Sequence, residues 1–502
     1  MEDGSVLNRH LMSWLCMVWW LLIAYSLAHS TVVDLEEATA YCKGIDLREI
    51  TIKEVHGYFL SGEMSVEELT ECYFGRIRAL NPSLNAVIST NPNARKDAIE
   101  LDLKMKRGEW GSLYGIPILV KDNIAVDGMQ TTGGTLFLQD IFPEQEAIAV
   151  QRLRQHGVII LGKANLSELS GFLAVDTKSG FSTAGGQTRN PYNLTSDIFG
   201  SSSGSAAAVA ANLAIAALGT ETEGSIIAPC SVTGLFCFKP TYDSSLNQGL
   251  IPLAKTMDTV GVLARTAIDS AIMAQAIATQ PYLERTLLNF KGIRIGILED
   301  YVQPHIKLIE NGLLELEAMG VELVRNLTLN IPPDYTCSIQ MAMLCEFGPQ
   351  IQEYLKNGTT RLPSADPSIQ NLTSIIQWYR NYSSSKNYTL VMLEAALPES
   401  CSNEPSLSLP KHRLAIQHDL TEFFTRYNLH ATLVSSHPLV SAFTTANAAG
   451  YPIINLPVGF TKDGSSASVA MYGLANSDPL LLKLAVAFDA KSPARLLPKY
   501  LN

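Results

Sequence analysis

The sequence predicts an α/β domain in which short strands form a layer packed against helices. Three observations predict it. Short apolar runs recur between helical stretches, at Ile116 to Val120, Val158 to Leu161, Ile293 to Leu298, Val321 to Val324, Ala431 to Val434 and Ile453 to Val458, and alternation of this kind builds layered α/β structure. Two capping boxes, Thr51-x-x-Glu54 and Ser65-x-x-Glu68, open an N-terminal helical layer, because each pairs side-chain acceptors with N–H groups that a helix start leaves unbonded. The 502 residues, 47% of them hydrophobic, are ample for a large core, since the buried fraction of the surface grows with chain length.

In chain order, residues 1–30 stand apart. Leu11 to Ala28 is an uncharged apolar run ending in small residues, which reads as a secretory leader cut after Ala28 or Ser30. Its n-region sets Glu2 and Asp3 against Arg9 and is not clearly basic. The run also reaches the length at which a membrane span begins to be possible. An uncleaved anchor over residues 11–28 is therefore the alternative, and a membrane is a partner only in that case. Beyond the leader the chain is expected in the secretory pathway, secreted, extracellular or in a vacuolar lumen. Six N-x-S/T sequons agree with that route, at Asn193, Asn326, Asn357, Asn371, Asn381 and Asn387. The last four mark a sequon-rich surface stretch near residues 357–410.

With Cys16 in the leader, Cys42, Cys72, Cys230, Cys237, Cys337, Cys345 and Cys401 remain, and no C-x-x-C pair is among them. Neither an HExxH motif nor paired Cys/His spacing occurs elsewhere, so no metal is expected. One or two disulfides are permitted, with their connectivity open. The first capped helix should end near Gly62 and the second at Asn81-Pro82. Leu69, Cys72, Tyr73 and Ile77 recur at helical spacing on the second, which makes that face core.

The rest of the chain is organised around Phe199 to Thr241. Two small-residue turns, at Gly200 to Ser205 and at Gly224-Ser225, flank an uncharged Ala/Leu run from Ala206 to Leu218, which reads as one helix buried on all faces. Glycine and serine put little bulk in the way of converging N–H groups and hydroxyls. A Gly/Ser linker would lead into polar sequence rather than into this run. A P-loop needs Gly-Lys-Ser/Thr where this chain has Gly204-Ser205-Ala206. Gly200 to Gly204 also matches the G-x-S-x-G nucleophile elbow centred on Ser202, with His430 or His437 as a base. That elbow must follow a buried strand, and Asn193 to Asp197 is polar. The layout is that of a serine-based active site.

Taken together, Gly200-Ser201-Ser202-Ser203-Gly204-Ser205-Ala206, Gly219-Thr220-Glu221-Thr222-Glu223-Gly224-Ser225-Ile226 and Lys239-Pro240-Thr241 resemble the core signature of the amidase-signature family. Further matches are GIPILVKDN at Gly115 to Asn123, GMQTTGG at Gly128 to Gly134, ILGKANLSEL at Ile160 to Leu169, GGQTRNPY at Gly185 to Tyr192 and DTVGVLART at Asp258 to Thr266. The resemblance runs from about Ser65 to the C-terminus. It implies one amidase-signature domain over residues 31–502, with a central mixed β-sheet covered by helices on both sides. A seventh sequon, Asn165-Leu166-Ser167, lies inside one of these motifs and is expected to be buried and unmodified.

By position, the resemblance implies Lys121 as general base, Ser201 as a bridging serine in a cis-peptide turn and Ser225 as the acyl-forming nucleophile. It also implies an oxyanion hole made by the backbone N–H groups of Thr222, Glu223, Gly224 and Ser225. A serine hydroxyl attacks an amide only when something removes its proton. A lysine can do so once burial lowers its pKa from about 10.4. No cofactor is implied, and the substrate-binding residues stay unassigned. Two departures resemble the peptide-amidase-like branch: FGSSSGS replaces the commoner Gly-Gly-Ser-Ser-Gly-Gly-Ser, and Ile227 stands where many members have arginine. Losing that cation argues against a substrate carboxylate there.

The function expected is hydrolysis of linear carboxamides, with C-terminal peptide amides among the substrates, small molecules or peptides being the partners. The first alternative is a glutamine amidotransferase role like that of the amide-cleaving chain of the glutaminyl-tRNA enzymes. The second is a non-catalytic amidase-like binding protein, against which stands the presence of Lys121, Ser201 and Ser225. A net charge of −11 leaves no basic footprint for nucleic acid.

Overall fold

The computed structural model describes residues 34–173, 177–282, 290–298, 306–382, 389–398, 409–436, 442–461, 466–491 and 495–500. The predicted leader, Asn387, Cys401 and His437 lie outside the described residues.

Eleven strands form one mixed sheet: β1 Val87–Thr90, β2 Pro117–Lys121, β3 Ile159–Ala164, β4 Ala216–Glu221, β5 Phe236–Lys239, β6 Thr259–Ala264, β7 Arg294–Ile297, β8 Glu322–Val324, β9 Ala431–Ser435, β10 Ile453–Phe460 and β11 Ser466–Tyr472. Their order across the sheet is β8-β7-β9-β11-β10-β5-β6-β4-β2-β3-β1. β2 runs parallel to β3 and β4, and β7 runs parallel to β8 and β9. The intervening pairs through β6, β5, β10 and β11 are antiparallel. Every residue of β2, β3, β4, β5 and β6 is buried. Successive side chains point to opposite faces of a sheet, so both faces are covered there, and these strands read as apolar runs instead of alternating ones.

Both capping boxes form. Thr51 caps helix Ile52–Ser61, which ends on left-handed Gly62, and Ser65 caps helix Val66–Leu84. The second helix runs past the predicted stop at Asn81-Pro82. Pro82 sits in its last turn, and Asn81 stitches the exit by accepting from Ala86 N and Val87 N and donating to Val87 O. Leu69, Tyr73 and Ile77 are core, while Cys72 bonds to Cys42. A second disulfide joins Cys230 to Cys237, Cys345 is also disulfide-bonded, and Cys337 is free.

The largest correction concerns the Ala206 to Leu218 run. It is not one helix: helix Ser203–Ala210 ends, the chain reverses at Asn212 with φ 56°, and β4 begins at Ala216. A run buried on all sides and apolar except for Asn212 carries no period to tell helix from strand. The reversal is held by three arginines, Arg76 and Arg265 buried and Arg495 half-buried. Arg495 donates to Ala210 O, Arg76 to Ala211 O and Asn212 O, and Arg265 to Val209 O and Ala214 O. They satisfy carbonyls that a buried helix end would otherwise leave orphaned, and Glu36 and Glu49 pair with Arg76 and Arg495.

Candidate active site

β2 and β4 lie side by side and parallel, so Lys121 and Thr220 emerge at the same end of the sheet. Lys121 is fully buried, and its Nζ lies 2.7 Å from Ser201 Oγ, 2.8 Å from Thr220 Oγ1 and 3.4 Å from Thr220 O. Burial lowers the amine to about 7, against the opposing pull of Asp258 and Glu221. Three acceptors match the three N–H bonds of an ammonium. In the neutral amine, Thr220 can take both N–H groups and leave the lone pair to Ser201.

Lys163, the other buried lysine nearby, faces away from this cluster. It donates to Ile124 O and Thr131 Oγ1 and pairs with Asp122 at 3.2 Å.

Ser201 follows a cis peptide bond at Gly200-Ser201, just before helix Ser203–Ala210. A side chain would be crowded on both sides of this turn, by a hydroxyl at Gly200 and by backbone at Gly204. A Cβ on Gly200 would stand 2.2 Å from Ser167 Oγ, and one on Gly204 would stand 2.4 Å from both Asn165 N and Asn165 O. Ser202 is turned inward, its hydroxyl donating to Thr220 O at 3.1 Å, and no strand precedes it. The elbow geometry is therefore absent at Ser202. His430 Nδ1 accepts from Arg294 N between β7 and β9, which gives that ring a structural partner.

Residues 222–226 form the turn between β4 and helix Ile227–Ser231. Gly224 has φ 108°, a conformation that suits glycine. The carboxylate of Glu221 accepts from Ile226 N and Ile227 N at 2.6 and 2.9 Å and is held by Asn447 at 2.8 Å. Burial pushes this carboxyl up, and those donors oppose the shift. Asp258 fixes the other side of the turn through Thr222 Oγ1 at 2.6 Å. The N–H groups of Thr222, Glu223, Gly224 and Ser225 have no acceptor among the described residues. Ser225 is half-buried, and its carbonyl accepts from Ser202 N at 2.9 Å, which ties the two serine turns together. The Glu223 carboxyl is raised to about 7 by burial.

Thr220, Asn123, Glu221 and Asp258 all lie inside motifs quoted above, yet their sequence context assigned them no part. Asn447 carried no sequence signal. Of the sequons, Asn326, Asn357 and Asn381 are exposed, while Asn193 and Asn371 are half-buried and use their side-chain carbonyls to bond local N–H groups. Asn165 is buried, donating to Asn85 O and Gly186 O and accepting from Ser182 Oγ. Ile227 is fully buried.

A family model described as Amidase matches residues 68–438. A probable amidase of Arabidopsis thaliana is 30% identical over 486 residues, covering 91% of this chain and 92% of that protein. A glutamyl-tRNA(Gln) amidotransferase chain of Geotalea daltonii is 29% identical, covering 89% of this chain and 98% of its own. Among solved structures, a native peptide amidase from Stenotrophomonas maltophilia superposes with a TM-score of 0.80 at 32% identity, over 90% of this chain and 98% of that one. An amidase family protein from Bacillus anthracis gives 0.81 at 27% identity, over 94% and 98%.

Proposed function

This chain belongs to the amidase family and is an amide hydrolase, and we propose that it cleaves linear carboxamides, C-terminal peptide amides among them, through Ser225, Ser201 and Lys121. The observation that carries this reading is the 2.7 Å contact between a buried Lys121 and Ser201. Near neutrality a large part of Lys121 is unprotonated, as a base requires.

Ser225 Oγ attacks the amide carbon and passes its proton to Ser201, which passes its own to Lys121 Nζ. The carbonyl oxygen becomes an oxyanion and is met by the unoccupied N–H groups of residues 222–225. As the C–N bond breaks, the same relay runs in reverse and protonates the departing nitrogen. Ammonia or an amine leaves, and Ser225 keeps the acyl group. Water then loses a proton to the relay and attacks the ester; the Ser225 Oγ–acyl bond breaks, the relay returns that proton to Ser225, and the acid leaves.

The likeness to peptide amidase supports peptide amides as substrates. The near full-length likeness to the glutamyl-tRNA(Gln) amidotransferase chain favours a second reading, glutamine as ammonia donor. The net charge of −11 and the exposed sequons weigh against a tRNA-bound role. We also propose the secretory route, which the Cys42–Cys72 and Cys230–Cys237 disulfides support, because such bonds persist in oxidising compartments.

The test is intact-mass labelling with a fluorophosphonate serine probe, followed by an amide screen. One adduct on the natural chain that vanishes in Ser225→Ala and in Lys121→Ala is expected. Label that persists in Ser225→Ala would move the nucleophile elsewhere. Faster ammonia release from free glutamine than from peptide amides would favour the second reading.

A further inference from the structure

The turn that carries Ser225 leads directly into helix Ile227–Ser231, five residues long with Pro229 inside it. Ala228 N donates to Gly224 O at 2.8 Å and Cys230 N to Ile226 O at 3.2 Å, so turn and helix form one hydrogen-bonded piece. A helix this short is not stable by itself. Whatever fixes it to the sheet therefore fixes Ser225 and the N–H groups beside it.

This piece is tied down at both ends. At its start, Glu221 of β4 accepts from Ile226 N and Ile227 N, and Asp258 accepts from Thr222 Oγ1. At its far end the tie is covalent: Cys230, next to the last residue of the helix, is bonded to Cys237 of β5. Cys237 lies opposite Leu263 of β6 and Asn455 of β10, in the interior of the sheet. Both cysteines are fully buried, with their Cα atoms 6.3 Å apart. The other tie at this end is a single neutral bond, from Ser468 Oγ to Ser231 O at 3.2 Å, which holds far less firmly than a covalent link.

The placement of this bond is a poor choice for stability alone. Its cysteines are 7 residues apart in sequence, against 30 for Cys42 and Cys72. In the chain-entropy account the longer loop gives the larger stabilisation. What distinguishes the shorter one is that it ends on the helix behind Ser225.

We propose that the Cys230–Cys237 disulfide positions the nucleophile turn for catalysis, holding Ser225 against Ser201 and the neighbouring N–H groups against the oxyanion. The inference rests on the function proposed above and deepens it. Cys230 and Cys237 are positioning residues, acting through the helix and turn. Ser225 belongs to the piece that the disulfide clamps, whereas Ser201 and Lys121 lie on other elements and are bonded to each other. Releasing Cys230 from β5 loosens one partner of the relay and leaves the Ser201–Lys121 pair in place. A misplacement of about 1 Å between reacting groups costs about a hundredfold in rate.

The experiment measures the rate of fluorophosphonate labelling against pH, well below each unfolding midpoint, in the natural chain, Cys230→Ala/Cys237→Ala and Cys42→Ala/Cys72→Ala. Cys230→Ala/Cys237→Ala is expected to label more slowly by about tenfold or more, with its acid limb still centred on the Lys121 value of about 7. Cys42→Ala/Cys72→Ala is expected to lose more stability in urea, because it opens the longer loop, and to keep the natural labelling rate. A merely structural bond would change the urea midpoint and leave the rate of the folded protein alone, so a natural rate in Cys230→Ala/Cys237→Ala would overturn the inference. Equal slowing in both double variants would overturn it as general loosening, and a displaced acid limb in Cys230→Ala/Cys237→Ala would overturn it by placing the fault at Lys121. If Cys230→Ala/Cys237→Ala does not fold, Cys237→Ala, which keeps the Cys230 thiol, decides on the same rate: slowing supports the inference and a natural rate overturns it. A natural chain that never labels would overturn the proposed function, an outcome distinct from an active chain whose rate ignores the disulfide.

Discussion

Lys121 Nζ and Ser201 Oγ stand 2.7 Å apart inside the protein, where burial brings the lysine amine to about 7. The amine pKa is lowered, so the base form is present above that value and lost below it. The acylation rate should rise with pH through about 7. Lys121→Ala should remove this limb and slow acylation by about a thousandfold. First-turnover amine release, followed from pH 5 to 9, checks both.

Glu223 carries a carboxyl raised to about 7 in the turn whose N–H groups would meet the oxyanion. It is neutral below that pH and negative above it. A negative charge there opposes a developing oxyanion, so activity should fall on the alkaline side and the profile should be bell-shaped. Glu223→Gln is expected to keep activity near neutrality and to flatten the alkaline limb. A limb unchanged in Glu223→Gln would assign it to another group.

Arg265 holds the far end of the helix-to-strand reversal through Val209 O, Ala214 O and Ile50 O. Its truncation leaves buried carbonyls without donors. Arg265→Ala is expected to cost about 3 kcal/mol or more of stability. Urea denaturation of the two proteins measures the difference; a loss below about 1 kcal/mol would mean that water replaces the guanidinium.

Asn357 and Asn165 sit in equally good sequons, and only Asn357 is exposed. In a chain made through a secretory pathway, Asn357→Gln should remove the mass of one glycan. Asn165→Gln should remove none, and should lower the thermal midpoint instead, because four hydrogen bonds hold the Asn165 amide. Glycosidase treatment with intact-mass measurement distinguishes the two.

Signals that close within a few residues were legible along the chain. The capping boxes at Thr51 and Ser65 formed as expected because each is a hydrogen-bonded loop of four residues. Asn165 was expected to be buried, and it is. Strands β2, β3, β7, β8, β9 and β10 lie on predicted apolar runs, with ends shifted by up to three residues. Not among the predicted runs were β1, β4, β5, β6 and β11; the last four are buried along their whole length, and β4 begins inside the run read as one helix.

The sequence by itself determined the family, the α/β class and the residues worth watching, because glycines that touch backbone and motifs around Lys121, Ser201 and Ser225 are local and specific. Only the tertiary structure decided that the Ala206 to Leu218 run breaks at Asn212, which cysteines pair, and that Asn447 and Asp258 brace the turn at Ser225. The physical reason is the same in each case. A residue buried on every side gives no periodic signal, and a buried carbonyl, carboxylate or amine is satisfied by whichever partner the fold brings near, however distant along the chain.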